Sequence, residues 1–435
     1  RLSLVGSEMC IRDSAERGKV IYAQRLTSFN ELLGHEYKKK LPLTYLGHHS
    51  LGHKTFESNV TDSVANLGPR YCRKVNVKTG SARYFDCVAK TPLYYKRLSK
   101  TIDSWLTEKS YRTRPDSSRI GKLEEDLKLL REDFVTALSE LDMSVEEFIN
   151  FSDLMKRVDD LQGEMEEVRH NLYLDYSSTR EDEKARKELE ADESRLTEIS
   201  RDLHSFSEDY ADLKVDMANN PYMIIKGEAG CGKSHLLGDV ASNRIAEGLP
   251  TLLFLGTDFN DRSYEAVITS KIGFSGTFPE FLSSFNQIGC QVGSRALLMI
   301  DALNEGDHAN LWKNKLPGLI KSLNEYPAIG LVVSVRDTYF DDVIPDDVEA
   351  SSKATVIEHK GFKGLEYEAV KQFCLAYNLK LPNVPILTPE FCNPLFLKIV
   401  CDTLEASGKK DFPKGFNGVI TLFNQYFRVL DKQFG

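Results

Sequence analysis

The chain has 435 residues, 41% hydrophobic and 28% charged, a globular balance that excludes a mostly disordered protein and predicts roughly two to four domains. No run approaches the ~18 uncharged apolar residues of a membrane span. Eight cysteines without a CxxC pair exclude a disulfide scaffold and a zinc ribbon and point to reduced thiols, as in a cytoplasmic protein. The net charge of -9 is unevenly spread. Residues 1–110 carry 19 Lys and Arg against 10 Asp and Glu, residues 111–220 carry 16 against 30, and residues 221–435 carry 21 against 25. Three compositional blocks follow, with net charges of +9, -14 and -4.

The opening stretch SLVGSEMCIRDS, residues 3–14, resembles a translated sequencing adapter, so residues 1–14 are set aside as an artefact. They have neither the basic start nor the apolar core of a signal peptide. With no Met at position 1 and an apolar-periodic segment running up to Gly435, the chain reads as an internal fragment of a longer protein.

Residues 15–110 are mixed, with no long period, and read as a linker or the remnant of an N-terminal region. His48, His49 and His53 form an HHxxxH cluster that lacks the further ligands a metal needs. Lys38, Lys39 and Lys40 read as surface lysines. The run Leu67-Gly68-Pro69-Arg70-Tyr71 is turn-like. A helix is predicted over 92–106, with Leu93, Leu98, Ile102 and Leu106 on one face.

Residues 111–220 form a helical, coiled-coil-like region. Ile120, Leu123, Leu127, Leu130, Phe134, Leu138 and Leu141 recur at helical spacing. Ser144 with Glu147 reads as a capping box that opens a second helix, and Ser178 with Glu181 as another. Three antiparallel helices, or a coiled-coil hairpin and one helix more, are expected, with the acidic excess on a solvated face.

From Pro221 the pattern becomes α/β. Strand-like apolar runs at 223–226, 251–256, 296–300, 329–335 and 354–357 alternate with helical segments, which predicts a parallel sheet flanked by helices over 221–362. Helical segments at 365–376, 395–407 and 418–434 then predict a small helical domain over 363–435.

Within the sheet region, Gly227-Glu228-Ala229-Gly230-Cys231-Gly232-Lys233-Ser234 matches GxxxxGK[ST], after a predicted strand and before a helix that starts at His235. Glycines at those positions let backbone N–H groups turn inward around phosphates, and the helix start adds its partial positive charge. Lys233 then reaches the β- and γ-phosphates and Ser234 offers its hydroxyl to Mg²⁺. The run Ala296-Leu297-Leu298-Met299-Ile300-Asp301 ends a buried strand in a carboxylate, at the edge where α/β sheets bind ligands, so Asp301 is a second Mg²⁺ residue. Glu305 is positioned to orient and deprotonate a water, with Asn304 beside it. Arg336, ending the strand 331–335, is placed to sense a γ-phosphate. Cys231, at a helix N-terminus, is a candidate for a lowered thiol pKa, although a small loop residue is the plainer reading. Asn314-Lys315-Leu316-Pro317 lacks the Asp of a guanine-recognition motif and 301–304 is not DxxG, which favours ATP over GTP.

Taken together, GEAGCGKS, LLMIDALNEG, VVSVRDTY and CNPLFLKIVC resemble the STAND NTPases, and within them the bacterial antiviral Avs (AVAST) branch. The resemblance covers about 221–435. More weakly, residues 67–71 (LGPRY) with Asn76 look like the segment that precedes the ATPase in that branch. The resemblance implies Walker A at 227–234, with His235 alongside, the Walker B Asp at Asp301, an acidic pair falling on Asn304 and Glu305, and a sensor Arg at Arg336. The first member of that pair is Asn here, which leaves Glu305 as the catalytic candidate. It also implies that Pro394 packs on the adenine; without the resemblance, Pro394 reads as a helix break.

The family implies a switch between ADP- and ATP-bound states. A C-terminal array outside this sequence senses a foreign (phage) protein, the chain forms a homo-oligomer, and an N-terminal effector, often a nuclease, is activated. Nucleic acid becomes a partner only through such an effector, and no membrane is implied. Two alternatives stand beside this reading: an AAA+-like motor or loader acting on DNA or protein, and a scaffold with a vestigial site.

Overall fold

The computed structural model describes residues 51–107, 119–179, 182–259, 263–306, 310–346, 348, 353–381 and 389–412. The chain divides into two units, Arg1–Gly52 and His53–Gly435, and the elements below belong to the second. The adapter-like opening, Lys38 to Lys40, His48, His49, Glu181 and the expected helix at 418–434 lie outside the described residues.

Five short strands carry the centre: β1 (Tyr222–Gly227), β2 (Thr251–Leu255), β3 (Ala296–Asp301), β4 (Ile329–Arg336) and β5 (Thr355–Glu358). They form one parallel sheet in the order β2-β3-β4-β1-β5. β2 and β3 are buried along their whole length, which explains why they read as continuous apolar runs rather than alternating ones. The fold is an α/β P-loop NTPase. Each predicted strand is present, shifted by a residue or two at its ends; the last begins at Thr355 rather than 354.

Residues 53–107, for which the sequence shows no long period, are largely helical. Helix α1 (His53–Leu67) lies along β2. Its Asn59 accepts a hydrogen bond from the Leu253 amide at 2.8 Å, and its Ser63 donates to the Leu253 carbonyl at 2.5 Å. These two side chains satisfy the outward backbone groups of an edge strand, which would otherwise template pairing with another chain. His53 opens α1, and its Nε2 lies 3.1 Å from the Ile245 carbonyl. Among the described residues no cluster of potential metal ligands occurs.

After α2 (Ala82–Ala89) comes α3 (Pro92–Thr107), then α4 (Gly121–Glu140), α5 (Ser152–Ser178) and α6 (Glu183–Asp212). These last four form a bundle. Arg119 meets Asp175 and Arg157 meets Asp133, so α4 and α5 run antiparallel. Trp105 of α3 stacks on Phe206 of α6 at 4.1 Å between ring centroids and meets Phe134 of α4 edge-on. The buried face of α3 is Tyr94, Tyr95, Leu98, Ile102 and Trp105; Leu93, expected on that face, is 56% exposed.

The expected box at Ser144 opens no helix. Residues 141–150 are irregular, and α5 starts at Ser152. Tertiary bonds take the place of the helix: Tyr95 donates to the Ser144 carbonyl at 2.7 Å, Lys90 donates to the Glu147 carbonyl, and Asn219 pairs with both backbone groups of Ile149. Ser178 ends α5, and α6 is capped instead by Asp182, which accepts from the Lys184 and Ala185 amides.

A short α7 (Val215–Asn219) leads into β1. Around the sheet lie α8 (Lys233–Ala246), α9 (Tyr264–Lys271), α10 (Phe278–Val292), α11 (Asn310–Leu323) and α12 (Phe340–Val343). The Asn314 to Pro317 run lies inside α11. Beyond β5, α13 (Glu366–Ala376) and α14 (Pro394–Ala406) share a core of Phe362, Phe373, Leu397 and Leu404 with Val75, which comes from far upstream. Among the described residues no helix is long and apolar enough to cross a membrane.

Candidate functional site

β1 ends at Gly227, and residues 228–232 turn the chain into α8. Gly230 and Gly232 have φ of +76° and +99°, conformations that side-chain-bearing residues rarely adopt. Gly227 is required for space, since a Cβ there would stand 2.5 Å from the His359 carbonyl oxygen. Lys233 starts α8 and is 8% exposed. Its Nζ donates to the carbonyls of Gly227 at 2.5 Å and Glu228 at 2.9 Å, and lies 3.6 Å from the Cys231 sulfur. The ammonium is therefore folded into the loop it follows. Burial pushes the Cys231 thiol up despite the charge of Lys233. The lowered pKa considered from sequence is not what the environment favours, because desolvation outweighs the helix start.

Asp301 ends β3 and is fully buried. Its Oδ1 accepts from Ser334 Oγ at 2.6 Å, and Ser334 Oγ in turn accepts from the Ala302 amide at 2.7 Å. Among the described residues, Asp301 Oδ2 has no hydrogen-bond partner. Burial raises its pKa, opposed by Ser334 and by the nearby Ser234 hydroxyl. A buried carboxylate oxygen without a donor, next to a Ser hydroxyl, is the donor set of a hard divalent cation. The residues present fit Mg²⁺.

Ala302 has φ +56°, so the chain turns sharply off β3 and brings Asn304 and Glu305 back over the sheet edge. Asn304 Oδ1 accepts from the Arg336 amide at 3.0 Å, fastening this turn to the end of β4. Glu305 accepts from Arg336 Nη2 at 2.9 Å and from Arg70 Nη1 at 2.6 Å. Asn304 thus braces the backbone, and Glu305 lines the cavity with both oxygens held by arginines.

That cavity has a volume of about 670 Å³ and is lined by the loop, Asp301, Glu305, Arg336, His359 and Pro394, among others. Cys72, Val75 to Thr79, Phe362, Phe373, Leu395 and Lys398 line it as well. The Leu395 amide donates to the Gly230 carbonyl at 3.2 Å, and Asn393 Nδ2 donates to the Ala229 carbonyl at 3.2 Å. Asn393 also caps α14 through the Leu395 and Phe396 amides, and Pro394 lies over Gly232. The His235 ring lies tilted against Tyr71, 5.1 Å between ring centroids, and its Nε2 lies 3.1 Å from the Cys72 carbonyl. The loop and the start of α8 are therefore held both by the start of α14 and by the segment that follows α1.

Of the residues expected from sequence, Ala229 to His235, Asp301, Asn304, Glu305, Arg336 and Pro394 line this cavity, while Gly227 and Glu228 do not; Arg70, Ser334, His359 and Leu395 line it as well. His359 is 3% exposed, with Nδ1 3.0 Å from Ser81 Oγ. Burial, then the charge of Lys233, push its pKa down to about 4, so the imidazole is neutral at pH 7. Ser334 left a sequence signal, a lone hydroxyl inside the apolar run of β4. Nothing local marks His359.

No family model matches the chain, and no curated protein matches it. Among solved structures it is similar to AMPPCP-bound DnaA from Aquifex aeolicus, at 16% identity and a TM-score of 0.27. The match covers 44% of this chain and 51% of that one. This chain therefore spans about half the length of that structure.

Proposed function

We propose that this chain is an ATP-binding and ATP-hydrolysing regulatory switch of the STAND type, part of an antiviral defence protein. One observation carries the nucleotide reading: a fully buried Asp301 with an unpartnered oxygen, beside Ser234 and a Lys233 turned into a glycine loop. A buried carboxylate of that kind is costly unless it meets a cation.

In this reading the loop amides and the start of α8 bind the phosphates. Lys233 exchanges the Gly227 and Glu228 carbonyls for phosphate oxygens. Ser234 and Asp301 would hold Mg²⁺, which when bound neutralises phosphate charge. Glu305 orients water and accepts its proton. Arg336 contacts the γ-phosphate and so distinguishes ATP from ADP. The base lies toward Phe362, Phe373 and Pro394, which line the same cavity.

The contacts of Asn393 and Leu395 with the loop support a switch rather than a motor. A nucleotide clasped between sheet and helical domain leaves only when the two separate, which suits slow, regulated turnover. Binding of a foreign protein, through sequence outside this chain, would favour the ATP state. Self-association and effector activation would follow, in the cytoplasm.

The test is phosphate release from MgATP by the full chain and by Glu305→Gln. The variant should bind ATP as the parent does and hydrolyse it about 100-fold more slowly. Hydrolysis at the parent rate would refute the role of Glu305. Fast unstimulated turnover by the parent would refute the switch.

A further inference from the structure

The two arginines that hold Glu305 have different origins. Arg336 ends β4 and is fixed in the sheet. Arg70 lies in the short 3-10 turn Gly68–Arg70 that follows α1, and its Nε also donates to the Leu67 carbonyl at 3.4 Å. From there the chain runs directly into the helical domain. Val75 is 5% exposed within the core of that domain, and Cys72 and Val77 pack against the same core. Arg70 is therefore joined, through a few residues, to the element that clasps the phosphate loop.

We propose that Arg70 is a positioning residue that restrains Glu305, and that seating of the helical domain maintains this restraint. The proposal rests on the reading of Glu305 as the group that activates water. Each Glu305 oxygen accepts a guanidinium N–H, at 2.6 Å and 2.9 Å, so the two arginines hold the carboxylate in one orientation and limit its turning toward a water, although each oxygen keeps a lone pair for one. Moving the helical domain off the loop draws on Val75 and withdraws Arg70. Arg336 stays with the sheet, and Glu305 is held by one guanidinium instead of two. Domain opening is thereby coupled to the chemistry as well as to nucleotide exchange.

The test compares kcat and KM for MgATP, and the affinity for ADP, in the full chain and in Arg70→Gln, Arg70→Lys, Val75→Ser and Glu305→Gln. Arg70 is 35% exposed, so its replacement leaves no buried hole. Arg70→Gln should raise kcat about 3- to 10-fold with KM within about 2-fold of the parent, the pattern of a released restraint. Arg70→Lys should return most of the way to the parent. Val75→Ser, which frees the segment without touching the ion pair, should raise kcat in the same direction. A fall in kcat, or a KM increase for ATP without weaker ADP binding, would make Arg70 a phosphate ligand and overturn the proposal. Unchanged kinetics in Arg70→Gln would also overturn it. If Glu305→Gln is inactive and Arg70→Gln unchanged, only the restraint fails. If Glu305→Gln hydrolyses at the parent rate, the catalytic reading beneath it fails.

Discussion

At the sheet end of the cavity, the groups proposed to handle the phosphates are neighbours in sequence or stand at adjacent strand ends. Gly227 to Ser234 form one loop, and Asp301 and Arg336 end the paired strands β3 and β4. At the covering end, which packs on the same loop, the contacts come from Cys72 and Val75 to Thr79, from His359 and Phe362, and from Asn393 to Leu395, brought together only by folding. The first end is rigid, because the sheet fixes it. The second is only as fixed as the packing of Asn393 to Leu395 and of the segment after α1 on that loop. Chemistry that must not drift belongs at the first, and retention and release of a ligand belong at the second.

The largest expected effect tests the first end. Lys233→Ala should abolish detectable binding of ATP and ADP, measured by calorimetry, because it removes the ammonium that is folded into the loop.

Asp301→Asn separates stability from function at the same end. Hydrolysis should fall by about 100-fold or more. Thermal stability at pH 7 should rise, because the native pKa of Asp301 lies above the unfolded value. The neutral form is therefore favoured on folding, and the parent loses stability as pH climbs through the native pKa. The gain should vanish in acid, where the parent carboxyl is itself protonated. Melting scans at several pH values check the sign.

A smaller effect is expected at the second end. Asn393→Ala removes both the α14 cap and the bond to the Ala229 carbonyl. Losing the cap costs about 1 kcal/mol. Dissociation of ATP and ADP should quicken alike, by several-fold in stopped-flow measurements, while the hydrolytic step is nearly unchanged. An ATP-only effect would break the division between the two ends.

The smallest effect on the site is expected from Lys90, which lies away from both ends. It is 1% exposed, and burial, with the charge of Arg295, pushes its pKa down to about 7. The unfolded chain therefore binds the extra proton between about pH 7 and the ordinary lysine value. Stability should rise with pH across that window, by up to about 1.4 kcal/mol per pH unit. Lys90→Met should flatten that slope in urea titrations and leave nucleotide affinity intact.

The same contrast explains how much could be read from sequence. The strands, the loop, Asp301 and Arg336 were legible because short apolar runs and one local motif determine them. Helix α1 was hidden because its buried face includes Asn59 and Ser63, polar residues needed at the edge of β2. Ser144 and Glu147 carry a helix-start pattern, but bonds from Tyr95 and Lys90 hold their backbone in another conformation. The direction of the Cys231 shift depends on how deeply the loop is covered. Arg70 and His359 act through partners hundreds of residues away, so no local period or spacing could reveal them.

The most direct test of the central claim is the nucleotide that co-purifies with the full chain, released by denaturation and identified by chromatography. Near-stoichiometric ADP or ATP in the parent, and none in Lys233→Ala, is the predicted result. A parent that carries no nucleotide and binds no added MgATP would contradict the account.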